Sequence, residues 1–194
     1  MKKKRLIPLL MLRNGWLVQS KKFLDYQNLG NPVTSVKRFS EWASDEIIYL
    51  DISKDDNYDM NRNDQGYQNR ANFTDIINDV SKVTFMPLTV GGKIRTIDDI
   101  SLRLKSGADK ISINTMAVKN HKFITRAAKK FGSQCIVVSI DAKKIDGDYK
   151  VFINGGKEET IFQANELAKI VEDSGAGEIL INSIDRDGSG LGYD

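Results

Sequence analysis

Asp45-Glu46-Ile47-Ile48-Tyr49-Leu50-Asp51-Ile52 returns later in the chain as Gly177-Glu178-Ile179-Leu180-Ile181-Asn182-Ser183-Ile184. Each copy begins on a glutamate, runs through apolar residues and ends on polar ones. At nearly the same offset, a first strand with a polar extension (Arg13 to Val18) aligns with a fifth strand and its extension (Lys143 to Phe152). Both extensions carry a glycine turn, Asn14-Gly15 and Asp146-Gly147, so both predict hairpins on the same rim. A unit that returns at the fifth strand implies two four-stranded halves, and hence eight strands.

Outward from that repeat, short apolar strands alternate with amphipathic helices. Strands are predicted at Arg5–Met11, Glu46–Asp51, Phe85–Val90, Lys110–Asn114, Cys135–Asp141 and Glu178–Ser183. Near-continuous Ile, Val and Leu runs of this kind belong to parallel strands covered on both faces. Helical stripes fall at Val36, Phe39 and Ala43; at Phe73, Ile76, Ile77 and Val80; at Ile97, Ile100 and Leu104; and at Ile161, Ala164, Ala168 and Val171. Repeated βα units define an α/β fold, and the internal repeat favours a closed barrel over an open sheet. The 194 residues read as one partial (β/α)8 TIM barrel of about six βα units, with strands seven and eight missing. Such a fragment is expected to be open or poorly soluble, because its first and sixth strands carry bare edges.

The composition excludes several classes. A formal charge of +3 with intermixed signs offers no concentrated basic face for nucleic acid. One cysteine, Cys135, rules out a disulfide framework within the chain and points to a cytoplasmic protein. One histidine, His121, at an expected helix start, reads as a surface residue and builds no multi-histidine metal site. The basic opening and apolar Leu6 to Leu12 imitate a secretory signal, but Arg13 and Asn14 interrupt the run and no small-residue cleavage site follows. No apolar stretch is long enough to cross a membrane. The reading calls for no metal and no cofactor.

In barrels of this class the chemistry sits at the C-terminal ends of the strands. Those ends carry Met11, Asp51, Gly91-Gly92, Asn114-Thr115, Asp141 and Asp185-Arg186-Asp187-Gly188-Ser189. Val90-Gly91-Gly92-Lys93 has the form of a turn whose amides cradle an oxyanion, with Asn114 and Thr115 at the next strand end to complete it. A plain tight turn explains the two glycines equally well. At the opposite ends of the strands stand Arg5, Glu46, Lys110 and Glu178, two charges of each sign. They form either a mutually neutralising ring or a solvated salt-bridge rim.

Several runs carry a family resemblance: Lys4-Arg5-Leu6-Ile7-Pro8, the Asp45 to Ile52 segment, Pro87-Leu88-Thr89-Val90-Gly91-Gly92 and Gly107-Ala108-Asp109-Lys110-Ile111-Ser112-Ile113-Asn114-Thr115. They continue with Phe131-Gly132-Ser133-Gln134, Ile140-Asp141-Ala142-Lys143 and Gly175-Ala176-Gly177-Glu178-Ile179-Leu180, leading into Asp185-Arg186-Asp187-Gly188. Through these the chain resembles, nearly end to end, the cyclase subunit of imidazole glycerol phosphate synthase. The resemblance implies a (β/α)8 barrel that docks a separate glutaminase subunit at its N-terminal face and passes ammonia through to the active site. It makes Arg5, Glu46, Lys110 and Glu178 the channel gate. Gly91, Gly92, Asn114 and Thr115 then belong to one phosphate site, and Gly188 and Ser189 border the other.

The departures lie around the chemistry. The family closes its ring with two aspartates as general acid and base; Asp141 matches one and Met11 stands at the other. Gln19 replaces a lysine, Lys93 replaces a glycine, and the stretch 53–72 is longer than the family's loop and is expected to overhang the active-site mouth, unless it is a disordered tip. This pattern resembles the diverged paralogues of surface-polysaccharide pathways. Those work with a glutaminase-like partner and a sugar amidotransferase on a phosphorylated or nucleotide-linked substrate to make acetamidino groups. A cyclase of histidine biosynthesis and a catalytically silent scaffold for the glutaminase are the alternatives.

Overall fold

The computed structural model describes residues 4–42, 44–61, 63, 64 and 66–194. In chain order its elements are β1 (Leu9–Arg13), β2 (Trp16–Lys21), β3 (Asp25–Gly30), α1 (Pro32–Glu41), β4 (Ile47–Asp51), β5 (Asn63–Asp64), β6 (Tyr67–Gln68), α2 (Phe73–Ser81), β7 (Leu88–Gly91) and α3 (Ile97–Lys105). They continue with β8 (Lys110–Ile113), α4 (Thr115–Lys119), α5 (His121–Phe131), β9 (Ile136–Ile145), β10 (Asp148–Ile153), β11 (Glu158–Gln163), α6 (Ala164–Asp173) and β12 (Glu178–Ser183). This is the expected α/β class. The chain divides into two compact units: residues 1–19, 27–93 and 98–111, and residues 20–26, 94–97 and 112–194.

In the first unit β4 lies parallel to β1 and to β7, with Met11 opposite Leu50, Leu12 opposite Asp51 and Tyr49 opposite Val90. Leu12, Ile47, Tyr49, Leu88 and Val90 are buried, as are Phe73, Ile76, Ile77 and Val80 of α2. Each such side chain contributes roughly 1.5–3 kcal/mol when fully removed from water. The Tyr49 hydroxyl donates to the Pro32 carbonyl at 2.8 Å, tying the strand to the start of α1. There Asn31 caps the helix by accepting from the Val33 and Thr34 amides.

In the second unit β12 runs parallel to β9 from Glu178 opposite Val137 to Ser183 opposite Ala142. Ile136, Val138 and Ile140 are buried together with Phe123, Ile124 and Ala127 of α5 and Leu167 and Val171 of α6. Both predicted hairpins form, β1 with β2 and β9 with β10. Their turn residues have positive φ throughout, 52° and 81° at Asn14-Gly15 and 51° and 93° at Asp146-Gly147, as a type I′ turn requires.

The differences from the sequence reading have local causes. The first strand was predicted from Arg5 but is assigned from Leu9. Leu6 and Pro8 still accept from Asp45 and Ile48, and Pro8 has no amide of its own to give. The third strand begins at Leu88, after Pro87, and Phe85 is 96% exposed. Cys135 ends a short 3-10 turn (Ser133–Cys135), and Ile161 lies exposed in β11, where Leu167 takes its place in the stripe of α6. The strands β3 and β11 extend the two hairpins and were not foreseen. Ile179 and Ile181 of β12 are exposed. His121 opens α5 half-buried, its Nδ1 2.8 Å from the Ala117 carbonyl and its ring edge-on to Phe162. Ala43 lies outside the described residues, as do residues 1–3, 62 and 65. No helix among the described residues is long and apolar enough to cross a membrane.

Candidate functional site

Asp141 is a buried carboxylate of the second unit. Its side chain is held from two strands: Asn114 Nδ2 donates at 3.1 Å from the end of β8, and Asn182 Nδ2 donates at 2.9 Å from β12. Asn114 spends its other amide proton on the Ser139 carbonyl at 3.0 Å, so its head is fixed before any ligand arrives. Register explains the geometry, since Asn182 is the residue directly opposite Asp141 across the parallel pair. Burial pushes the carboxyl up to about 6, against the lowering effect of the Asn182 and Asn114 hydrogen bonds and with a further upward contribution from the Asp187 charge. A carboxyl poised there takes and gives protons at neutral pH.

Asp187 is itself anchored, accepting from the Ser20 hydroxyl at 2.6 Å and from the Phe23 amide at 3.1 Å. Gly188 packs against the same segment. A Cβ there would fall 2.2 Å from the Ser20 carbonyl oxygen, so the position requires glycine on contact grounds alone. Ser189 donates to the Arg186 carbonyl. Thr115 opens the short helix α4, donates to Asn114 Oδ1 at 3.3 Å and accepts from the Asn154 amide.

The first unit holds the remaining candidates. Met11 is half-buried on β1 between Val18 and Leu50. Asp51, at the adjacent strand end, is committed: Ser53 donates to it through its amide at 3.0 Å and its hydroxyl at 2.5 Å, and Lys93 Nζ lies 3.5 Å away. Gly91 ends β7, and Gly92 has a φ of 108° with the Asp51 carbonyl where a Cβ would sit. Packing therefore accounts for Gly92 without a phosphate. Lys93 turns back onto the 53–72 stretch, pairing with Asp56 at 3.2 Å and donating to the Asp55 carbonyl. The described part of that stretch is not a loose tip. Tyr58 donates through its amide to Ala71, Asn57 bridges Asn72, and Asn69 donates to the carbonyls of Asn14 and Asp59.

At the N-terminal ends of the strands, Glu46 is 1% exposed and accepts from Arg5 at 3.0 Å, Lys110 at 2.8 Å and the Thr89 hydroxyl at 2.6 Å. Three of the four predicted gate residues thus form one network. Glu178 opens β12 in the second unit, opposite Val137. Among the described residues no group of three or more His, Cys, Asp or Glu is placed to hold a metal ion.

Sequence reading missed Asn182, the Ser20–Asp187 pair, Thr89 and Tyr58. Asn182 carried a signal, a polar amide directly after the apolar run Ile179-Leu180-Ile181. The others are recognisable only by what they touch.

Parallel βα units with polar residues gathered at the strand ends are those of the barrel class. The chain belongs to the histidine biosynthesis protein family, whose model it matches over residues 5–194. It is 45% identical over 190 residues to imidazole glycerol phosphate synthase subunit HisF of Campylobacter concisus, covering 98% of this chain and 71% of that protein. The corresponding protein of Hydrogenobaculum is 46% identical, with 98% and 72% covered, and that of Exiguobacterium is 43% identical, with 100% and 72% covered. The family agrees with the expected (β/α)8 class. The relatives' names match the histidine-pathway alternative more directly than the polysaccharide reading.

Proposed function

We propose that the chain is the cyclase-type, ammonia-receiving subunit of a glutamine amidotransferase system whose acceptor is not the ring-closing substrate of histidine biosynthesis. The acceptor class we favour is an N-acetylated sugar of a surface polysaccharide, as a phosphorylated or nucleotide-linked unit. A sugar amidotransferase partner would activate the amide oxygen with a nucleoside triphosphate, and ammonia would add to the amide carbon and expel that oxygen as the phosphorylated or nucleotidylated leaving group, giving the acetamidino group. The observation that carries this reading is Met11. A thioether cannot exchange protons, and the neighbouring carboxylate at the next strand end, Asp51, is occupied by Ser53 and Lys93. Loss of one member of a general acid–base pair typically costs 10²–10⁴-fold in rate.

In this account Asp141 is the remaining proton-transfer group. Arg5, Glu46, Lys110 and Glu178 admit ammonia from a glutaminase docked at the N-terminal face. Gly91, Gly92, Asn114, Thr115, Gly188 and Ser189 are the candidate phosphate contacts, in a single partial-barrel domain bearing the 53–72 insertion. Histidine-pathway cyclisation is the second reading, favoured by relatives named imidazole glycerol phosphate synthase subunit HisF at 42–46% identity.

Reconstitution with the partner glutaminase and amide-¹⁵N glutamine tests the proposal. The expected result is faster glutamine hydrolysis in the presence of the barrel and ¹⁵N in the amidino nitrogen of an N-acetylated sugar. Label in an imidazole product instead, or a glutaminase indifferent to the barrel, would contradict it.

A further inference from the structure

No aspartate or glutamate stands between Asp109 and Asp141. Into that interval fall Lys119, at the end of α4, and Lys122, Arg126, Lys129 and Lys130 of α5. All of these cations are exposed. At 3.6 residues per turn, those on α5 share an arc of roughly 100° and about 12 Å of helix axis. The opposite arc, with Phe123, Ile124 and Ala127, is buried in the second unit.

Folding does not account for this arrangement. Lys122 stands in the first turn of the helix, where the macrodipole disfavours a cation and no acidic residue offsets it. Lys122 with Arg126, and Arg126 with Lys130, are like-charge pairs at i,i+4, which weaken a helix. Only Lys129 and Lys130, in the last turn, suit the dipole. Among the described residues, none of these cations makes an ion pair or a side-chain hydrogen bond. Arg126 lies over the Phe123 ring and Lys130 over that of Phe131, contacts that steady the side chains and leave their charge unneutralised.

The chemistry of the patch selects its partner. Its exposed arc carries no aromatic or apolar side chain, the anchors on which protein interfaces rest, and lysine is depleted in such interfaces. The patch is one helix wide, and α6, packed beside it, exposes Glu166, Glu172 and Asp173. A nucleic-acid backbone therefore finds no extended track of cations to follow. A bilayer presents its phosphates in a plane and needs only the crest of one helix. Clusters of about four to eight Lys and Arg on an amphipathic helix suit anionic headgroups.

We propose that α5, extended by Lys119, is a peripheral contact surface for an anionic phospholipid bilayer. The apolar side of the helix is committed to the core, so the contact is electrostatic adsorption without insertion. It does not depend on the function proposed above.

Vesicle co-sedimentation of the full native chain tests it, with phosphatidylcholine alone against phosphatidylcholine containing about one-third phosphatidylglycerol. The expected result is binding to the anionic vesicles only, reversed when added salt shortens the screening length. Lys122→Gln combined with Arg126→Gln should weaken that binding about 25-fold, roughly fivefold for each cation removed. Lys157→Gln, in the β10–β11 turn outside the patch, should leave it unchanged. The double variant relieves both like-charge pairs, so its melting temperature should hold or rise, which separates lost binding from lost folding. No binding at low salt, equal binding to neutral vesicles, unchanged affinity in the double variant, or tighter binding to a random-sequence DNA duplex at the same salt would overturn the proposal. The assay uses neither sugar, ammonia nor glutaminase, so its outcome is separate from that of the ¹⁵N experiment.

Discussion

Asp141→Asn is expected to lower ¹⁵N transfer into acceptor by about 10²–10⁴-fold, the range for losing a general acid–base group. The substitution preserves shape and keeps one oxygen for Asn114 or Asn182, so the loss reports proton transfer and not collapse of the site. The acid limb of the wild-type rate should fall near pH 6, where the buried carboxyl titrates, and should vanish in the variant. If the chain were only a scaffold that activates a glutaminase, output would be unchanged.

The same carboxyl carries a stability signature. Below pH 3.8 it is protonated in both the folded and unfolded chain and contributes no difference. Between 3.8 and about 6 the unfolded chain has lost the proton while the folded chain retains it, so the folded state loses ground as pH rises. Above 6 the deficit is complete, on the order of 3 kcal/mol from a shift of roughly two pKa units. Urea unfolding of wild type and Asp141→Asn between pH 4 and 8 should therefore show the wild type losing stability relative to the variant with rising pH. Parallel curves would mean that the carboxyl is not buried as described.

Glu46→Ala should destabilise the chain by about 3–5 kcal/mol, the range for breaking one partner out of a buried ion pair. Removing it takes away the carboxylate that the Lys110 ammonium, 16% exposed, and the Thr89 hydroxyl share. Arg5 is 47% exposed and can turn to water, so its share of the loss is small. Because native domains are only 5–15 kcal/mol stable, a loss of this size should be plain in the denaturation midpoint. Lys110→Met with Glu46→Gln keeps the volume and should recover part of it. A change under 1 kcal/mol for Glu46→Ala would mean that the network is solvated.

The sequence was informative wherever a pattern is local. Apolar runs located β4, β8 and β12 to within a residue, and Asn-Gly and Asp-Gly fixed both hairpin turns through the φ values only such residues adopt easily. The repeat led from those runs to the barrel class. Asp141, Asn114 and Glu46 were recognisable as polar residues at strand ends. What a pattern could not carry was pairing across the chain. Asn182 opposes Asp141 only because of register, and Asp187 reaches back to Ser20. Lys93 looks like part of a phosphate turn in sequence, yet its ammonium closes on Asp51 and Asp56. The 53–72 stretch shows no periodicity, and its described part is tied to the β1–β2 turn by hydrogen bonds from Asp59 and Asn69 to Asn14. Ile161 illustrates the opposite error: its spacing suits a helix, but β10 recruits the segment as a third strand of the ribbon.

Under the proposed function, Met11 removes the ring-closing chemistry and leaves an ammonia-using scaffold. The most direct test of that reading supplies ammonia and the bis-phosphate ribonucleotide substrate of imidazole glycerol phosphate synthase to the chain in its native full-length form, with Met11→Asp alongside. The account predicts no imidazole glycerol phosphate from the unaltered protein and a measurable gain in Met11→Asp. Product from the unaltered protein at a rate matching the variant would contradict it and make the chain a histidine-pathway cyclase.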